Sequence, residues 1–133
     1  MTEAKMVVPI LKQGHYLIAT IPTALTDADL RGFRDGLVAQ VGRCRSRGVV
    51  VDITALDVMD SFAVRTLRDV AHMTRLRGAE TVIVGIQPEV AFSMVELGLT
   101  LEDVNTALDL EEGLALLDRK RKRIVKEGEA RGP

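Results

Sequence analysis

Apolar residues fall in two rhythms along this chain, and the switching between them marks out its elements. Met6-Val7-Val8-Pro9-Ile10-Leu11 and Tyr16-Leu17-Ile18-Ala19-Thr20-Ile21 flank the segment Lys12-Gln13-Gly14-His15. Two short apolar runs around a glycine-bearing turn read as a β-hairpin. Pro9 has no N–H to give to a ladder, so the first strand is expected at a sheet edge or with its proline at a free position. Thr26-Asp27-Ala28-Asp29 is a helix start, with acidic residues where the helix dipole is positive. Leu30, Phe33, Leu37, Val38 and Val41 then recur at helical spacing. Gly32 and Gly36 weaken that pattern unless a neighbouring element packs close. The helix is expected to end in the basic run Arg43, Arg45, Arg47, with Gly48 as its C-terminal cap.

Val49-Val50-Val51-Asp52-Ile53 is a short continuous apolar run, the mark of a strand buried on both faces. After a loop, Ser61 opens a second helix whose apolar face is Val64, Leu67, Val70 and Ala71, extended by Met73 and Leu76, with Gly78 ending it. Thr81 to Ile86 is another buried strand. Pro88 suits a first helical position, with Gln87 before it and Gly98 closing the helix. Val104 to Leu108 reads as a last short strand. Asp109 with Glu112 makes a capping pair ahead of Leu110, Leu114 and Leu117. Alternation of this kind predicts a single α/β domain, with a mostly parallel, mixed sheet of about five strands packed with about four helices. The domain is expected over residues 1–118, and residues 119–133 as a basic helix end running into a disordered tail.

Composition narrows the function. The chain of 133 residues suits one core, and 47% hydrophobic content excludes a disordered chain. Aromatic residues make up 3%, so stacking on nucleic-acid bases is poorly supplied. Lys and Arg number 18 against 19 Asp and Glu, for a formal charge of -1, which gives no overall pull toward DNA or anionic membrane. Cys44 is the one cysteine, so no internal disulfide can form. No window approaches the roughly 18–20 apolar residues that span a bilayer, and the chain is expected to be cytoplasmic, with neither nucleic-acid nor membrane partners.

Asp52 to Phe62 is the stretch richest in chemistry. It leaves the carboxyl end of a buried strand and enters a helix, where sites in α/β sheets gather. Ser61 stands at or beside the helix N-terminus, where free N–H groups favour an anion, and a phosphate there would add about 1.5 to 2 negative charges. A serine at a helix start is ordinarily a cap and nothing more. Asp60 is either the cap itself or a solvated loop carboxylate. Asp52, Asp57 and Asp60 make the loop acidic, and Arg65 is the nearby base. A phosphate would therefore repel or re-select a partner rather than close an arginine clamp.

Rival chemistries lack parts. A receiver domain phosphorylated on Asp52 would need an acidic pair after the first strand and a late lysine; no Lys lies between Lys12 and Lys120. His15 and His72 lack partners at metal-ligand spacing, and Cys44 lacks a histidine. Glycine-rich phosphate loops are absent. No catalytic residue, metal or cofactor is expected. The run Arg119-Lys120-Arg121-Lys122-Arg123 with Lys126 is the one strong charge patch. It reads as a solvated helix end in preference to a surface for an acidic partner or nucleic acid.

Taken together, Val49-Val50-Val51-Asp52-Ile53-Thr54, Asp60-Ser61-Phe62, Gly85-Ile86-Gln87-Pro88-Glu89-Val90 and Leu97-Gly98-Leu99 resemble the STAS domain of anti-sigma-factor antagonists. Thr106 to Leu114 and Val8 to Leu11 are similar to its RsbS-type branch, the scaffold subunits of the bacterial stressosome. The resemblance implies a phosphoprotein in stress-response signal transduction. It implies assembly with RsbR-type STAS paralogues as a homo- or hetero-oligomer, and sequestration of an RsbT-type serine kinase. It further implies release of that kinase on phosphorylation of Ser61, and a phosphatase that resets Ser61. Asp60 and Phe62 carry over as flanking motif residues, and Phe62 favours the RsbS branch over free anti-sigma antagonists. A stand-alone anti-sigma antagonist and a small ligand-binding α/β domain remain the alternatives.

Overall fold

The structure, a computed structural model, describes residues 8–130. Strands β1 (Ile10–Gln13) and β2 (Tyr16–Thr20) form an antiparallel hairpin, followed by α1 (Asp27–Cys44), β3 (Gly48–Asp52), α2 (Ser61–Leu76), β4 (Glu80–Val84), α3 (Pro88–Glu96), β5 (Asn105–Ala107) and α4 (Leu110–Ala130). The sheet order is β1-β2-β3-β4-β5, with β2 to β5 parallel. Within the described residues this is the five-stranded, four-helix α/β domain that the apolar pattern predicts.

One consequence of this order decides where the layers go. Parallel crossovers are right-handed. Because the sheet grows from β2 to β5 without reversing, each crossover falls on the same face. That face carries α1, α2 and the start of α3, and its core joins Phe33, Leu37 and Val41 to Val64, Leu67, Val70 and Val90 over Leu17, Val49, Val51 and Ile83. The other face is left to α4 alone. There a smaller cluster of Tyr16, Ile18, Val50, Val82, Val84 and Leu117 forms, with Leu110 and Leu114 packed against it. Alternation along β3 sends Val49 and Val51 to one face and Val50 to the other, and all three are fully buried.

Local signals explain most boundaries. Thr26 caps α1 by accepting from the Asp29 N–H at 3.1 Å. Pro9 lies just before β1, an edge strand, and its carbonyl still accepts from the Thr20 N–H. Asp109 Oδ1 accepts from the Glu112 N–H at 2.9 Å, as the capping pair predicts.

Several expectations are corrected. Gly48 does not cap α1: Arg45 takes the left-handed cap conformation at φ 51, and Gly48 opens β3 instead. A Cβ on Gly48 would stand 3.0 Å from Leu117 and 3.1 Å from Tyr16, so close packing of α4 is what its small size serves. Gly32 and Gly36 have open space around them and admit no close neighbour. Leu76 is 87% exposed, because at about 3.6 residues per turn it falls on the face of α2 opposite Leu67. From 119 onward α4 continues through the basic run to Ala130 in one helix. Met6 and Val7 of the first apolar run and Gly132-Pro133 lie outside the described residues.

Candidate functional site

The site forms where β3 and β4 end and α2 begins. Asp52 closes β3 and folds the chain back on itself: its Oδ1 accepts from the Thr54 N–H at 2.9 Å and from the Thr54 hydroxyl at 2.6 Å. Such an Asx-type turn stabilises the loop locally and occupies that carboxylate oxygen with structural work. Gly85, at the end of β4, lies against this turn. A Cβ there would sit 2.0 Å from Thr54 Oγ1 and 3.0 Å from its Cα, and φ of +78 lies in the region that favours glycine. The Gln87 amide donates to the Thr54 carbonyl and ties the head of α3 to the same turn.

The loop then descends through Leu56 and Met59, both buried, before α2 starts. Asp60 is the N-cap: its Oδ1 accepts from the Ala63 N–H at 2.8 Å, while its carbonyl accepts from Val64. Ser61 is therefore the first residue of the helix and not its cap. The cap role, open between the two residues in the sequence, goes to Asp60. The Ser61 hydroxyl is half-buried and makes no hydrogen bond among the described residues. It stands at the positive end of a helix of 16 residues, at the sheet's carboxyl edge.

Phe62 follows, half-buried, with the Arg31 guanidinium of α1 5.8 Å from its ring centroid. This cation–π contact fastens the head of α2 to α1. Beneath the loop lies a cavity of about 150 Å³ lined by Ile21, Leu30, Leu56, Met59 and Leu67, with Asp60 at its rim. Its walls are aliphatic and offer little polar chemistry.

Asp60, Ser61 and Phe62 sit at the head of α2, and Asp57 is exposed on the same loop. Three participants were missed: Gly85, Gln87 and Arg31. A glycine closing a buried strand is a legible sign of close backbone approach. Arg31 carries no such sign, because the contact joins residues on two helices. His15 and His72 remain apart from the site, and Cys44 is a half-buried free thiol at the far end of α1. Among the described residues no group of three or more His, Cys, Asp or Glu side chains is placed to hold a metal. No described helix is long and apolar enough to cross a membrane.

The sequence pattern of the STAS domain family matches residues 8–113, which take in the whole sheet and the head of α2. The chain belongs to the STAS domain family. Its relatives sharpen the branch. It is 32% identical over 114 residues to the RsbT co-antagonist protein RsbRA of Bacillus subtilis, covering 85% of this chain and 40% of that protein. It spans less than half the length of the RsbR proteins it matches. Among solved structures it is similar to Moorella thermoacetica RsbS carrying a serine-to-glutamate substitution, at 35% identity and TM-score 0.76, covering 86% of this chain and 97% of that one. A chain of the stressosome, described as a signal integration and transduction hub, matches at 32% identity and TM-score 0.70 over 85% of this chain and 98% of that one.

Proposed function

We propose that this protein is a stressosome-type switch subunit, which holds an RsbT-type serine kinase and releases it when Ser61 is phosphorylated. The observation that carries this reading is the position of Ser61: first residue of α2, beside the Asp60 cap, with a hydroxyl that makes no hydrogen bond among the described residues. The names of its relatives support it, since one is an RsbT co-antagonist and another a form of RsbS with glutamate in place of a serine.

The physical consequence of a phosphate there has two opposed parts. The helix N-terminus attracts it, with the Ser61 and Phe62 N–H groups ahead of the first intrahelical bonds. Asp57 and Asp60 repel it, and Asp60 already holds the Ala63 N–H. A group of about -1.5 to -2 charge must therefore displace the cap or face outward. Either outcome rewrites the surface that a partner reads without unfolding the domain behind it. The protein acts as substrate and tether and supplies no catalytic group. RsbR-type paralogues are its assembly partners, in the cytoplasm, and a phosphatase resets Ser61. The aliphatic cavity under the loop, at about 150 Å³, falls below the roughly 300–1,000 Å³ usual for small-molecule sites, which favours a protein partner over a ligand at this edge.

Intact-mass analysis after incubation with an RsbT-type kinase and ATP tests the reading. One phosphate on the wild type and none on Ser61→Ala is the expected result. Phosphate on neither, or on both alike, removes Ser61 from the switch.

A further inference from the structure

Helix α4 changes its surroundings halfway along. As far as Leu117 it lies on the sheet, and Gly113 lets it approach closely, since a Cβ there would stand 2.7 Å from Val84 and 3.3 Å from Val82. Beyond Leu117 it leaves the sheet and continues for about 20 Å to Ala130, at 1.5 Å per residue. The apolar stripe does not stop at the sheet margin. Leu110, Leu114 and Leu117 are succeeded at helical spacing by Ile124 and Val125, which are 64% and 56% exposed.

Under this overhang, at the amino edge of the sheet, lies a groove of about 400 Å³. Its apolar wall is Leu117, Ile124 and Val125, and Arg47, Arg75, Lys120 and Arg121 supply positive charge around it. Glu80 is the acidic residue in its lining. It is already engaged, accepting from Asn105 Nδ2 at 2.9 Å and lying 3.8 Å from Arg75 Nε. The groove is thus apolar in its wall and cationic at its rim, a strand's length away from Ser61.

Charge selects the occupant. A second copy of α4 laid parallel on the first would oppose two Arg119-to-Arg123 runs, five like charges against five. Nucleic acid would match the charge, but would leave the Ile124 and Val125 wall unfilled, and His15 is the one ring in the lining on which a base could stack. A segment with apolar anchors on one side and carboxylates on the other satisfies both the wall and the rim.

We propose that the overhang of α4 and the groove beneath it dock an acidic, amphipathic segment of a partner protein. The apolar anchors of that segment rest on Ile124 and Val125, and its carboxylates face Arg47, Lys120 and Arg121. This surface is independent of Ser61 and of the kinase reading, and its failure would leave that reading intact.

The test is fluorescence anisotropy with the full chain and a labelled synthetic peptide bearing Leu at helical spacing and Glu elsewhere. A scrambled peptide of the same composition and a single-stranded oligonucleotide of equal charge serve as comparators. The patterned peptide is expected to bind most tightly. Lys120→Glu combined with Arg121→Glu should weaken it by about tenfold or more. Ile124→Ser, which removes the apolar anchor point and keeps every charge, should weaken it severalfold, with helical circular dichroism unchanged. No binding of the patterned peptide, equal binding of the scrambled one, tighter binding of the oligonucleotide, or an unchanged affinity in both variants would overturn the proposal.

Discussion

The two edges of the sheet carry opposite chemistry. At the carboxyl edge, Asp52, Asp57 and Asp60 surround the head of α2, and Ser61 offers a free hydroxyl. At the amino edge, Arg47 precedes β3, and Arg75, Lys120 and Arg121 gather around it. A formal charge of -1 averages these away. The lesson is that polarity here comes from direction. Parallel strands send all their ends one way and all their starts the other, so loops of like role share an edge and their charges add. The two edges also differ in how they are held. The carboxyl edge is pinned by contacts around Thr54, and the amino edge by Ser46, whose hydroxyl reaches the His15 and Gly48 carbonyls, with α4 lying across the sheet.

The largest expected effect breaks the carboxyl edge. Gly85→Ala forces a side chain into Thr54 at positive φ, and should lower stability by about 2–4 kcal/mol, read from the urea midpoint. A variant that unfolds at the wild-type midpoint would mean that the Asp52 turn is not braced by β4. Asp60→Ala is milder: loss of the cap should cost about 1 kcal/mol by the same measurement. An unchanged midpoint would give the cap to Ser61, whose hydroxyl would then be engaged rather than free.

The smallest effect sharpens the amino edge. Tyr16 donates its hydroxyl to Asp118 on α4, and its pKa is pushed up to about 12, chiefly by burial, then by the hydrogen bond and charge of Asp118, with Arg121 opposing. The folded state thus holds the phenol's proton longer than the unfolded chain does. The contribution of this contact to stability is whole below the unfolded value of 10.0 and is lost as pH rises from there through about 12. Tyr16 is the only tyrosine, so ultraviolet titration reads it alone. Asp118→Asn should bring its midpoint down toward the ordinary value, and a midpoint already near 10.0 in the wild type would detach α4 from the start of β2.

Much of this was legible because local signals agreed with the global pattern. Thr26, Pro88 and the Asp109–Glu112 pair each mark a helix start with a chemistry that needs no tertiary context. Gly48 misled because a glycine after a basic run looks like a helix stop, while its real constraint, contact with Leu117, lies far along the chain. At Asp60-Ser61 two adjacent residues are both good caps, and only the placed backbone separates them. The basic run read as a solvated helix end because charge alone does not reveal that Ile124 and Val125 continue an apolar stripe into open solvent.

The strand order has a last consequence. Doubly wound sheets hold their cofactors in a fork, where neighbouring connections depart to opposite sides and leave a gap between them. From β2 to β5 this sheet never changes direction, so its connections depart side by side and no fork opens. Its carboxyl edge is a terrace rather than a cleft. A terrace suits a broad, flat visitor, and one phosphate placed on it can alter the whole landing.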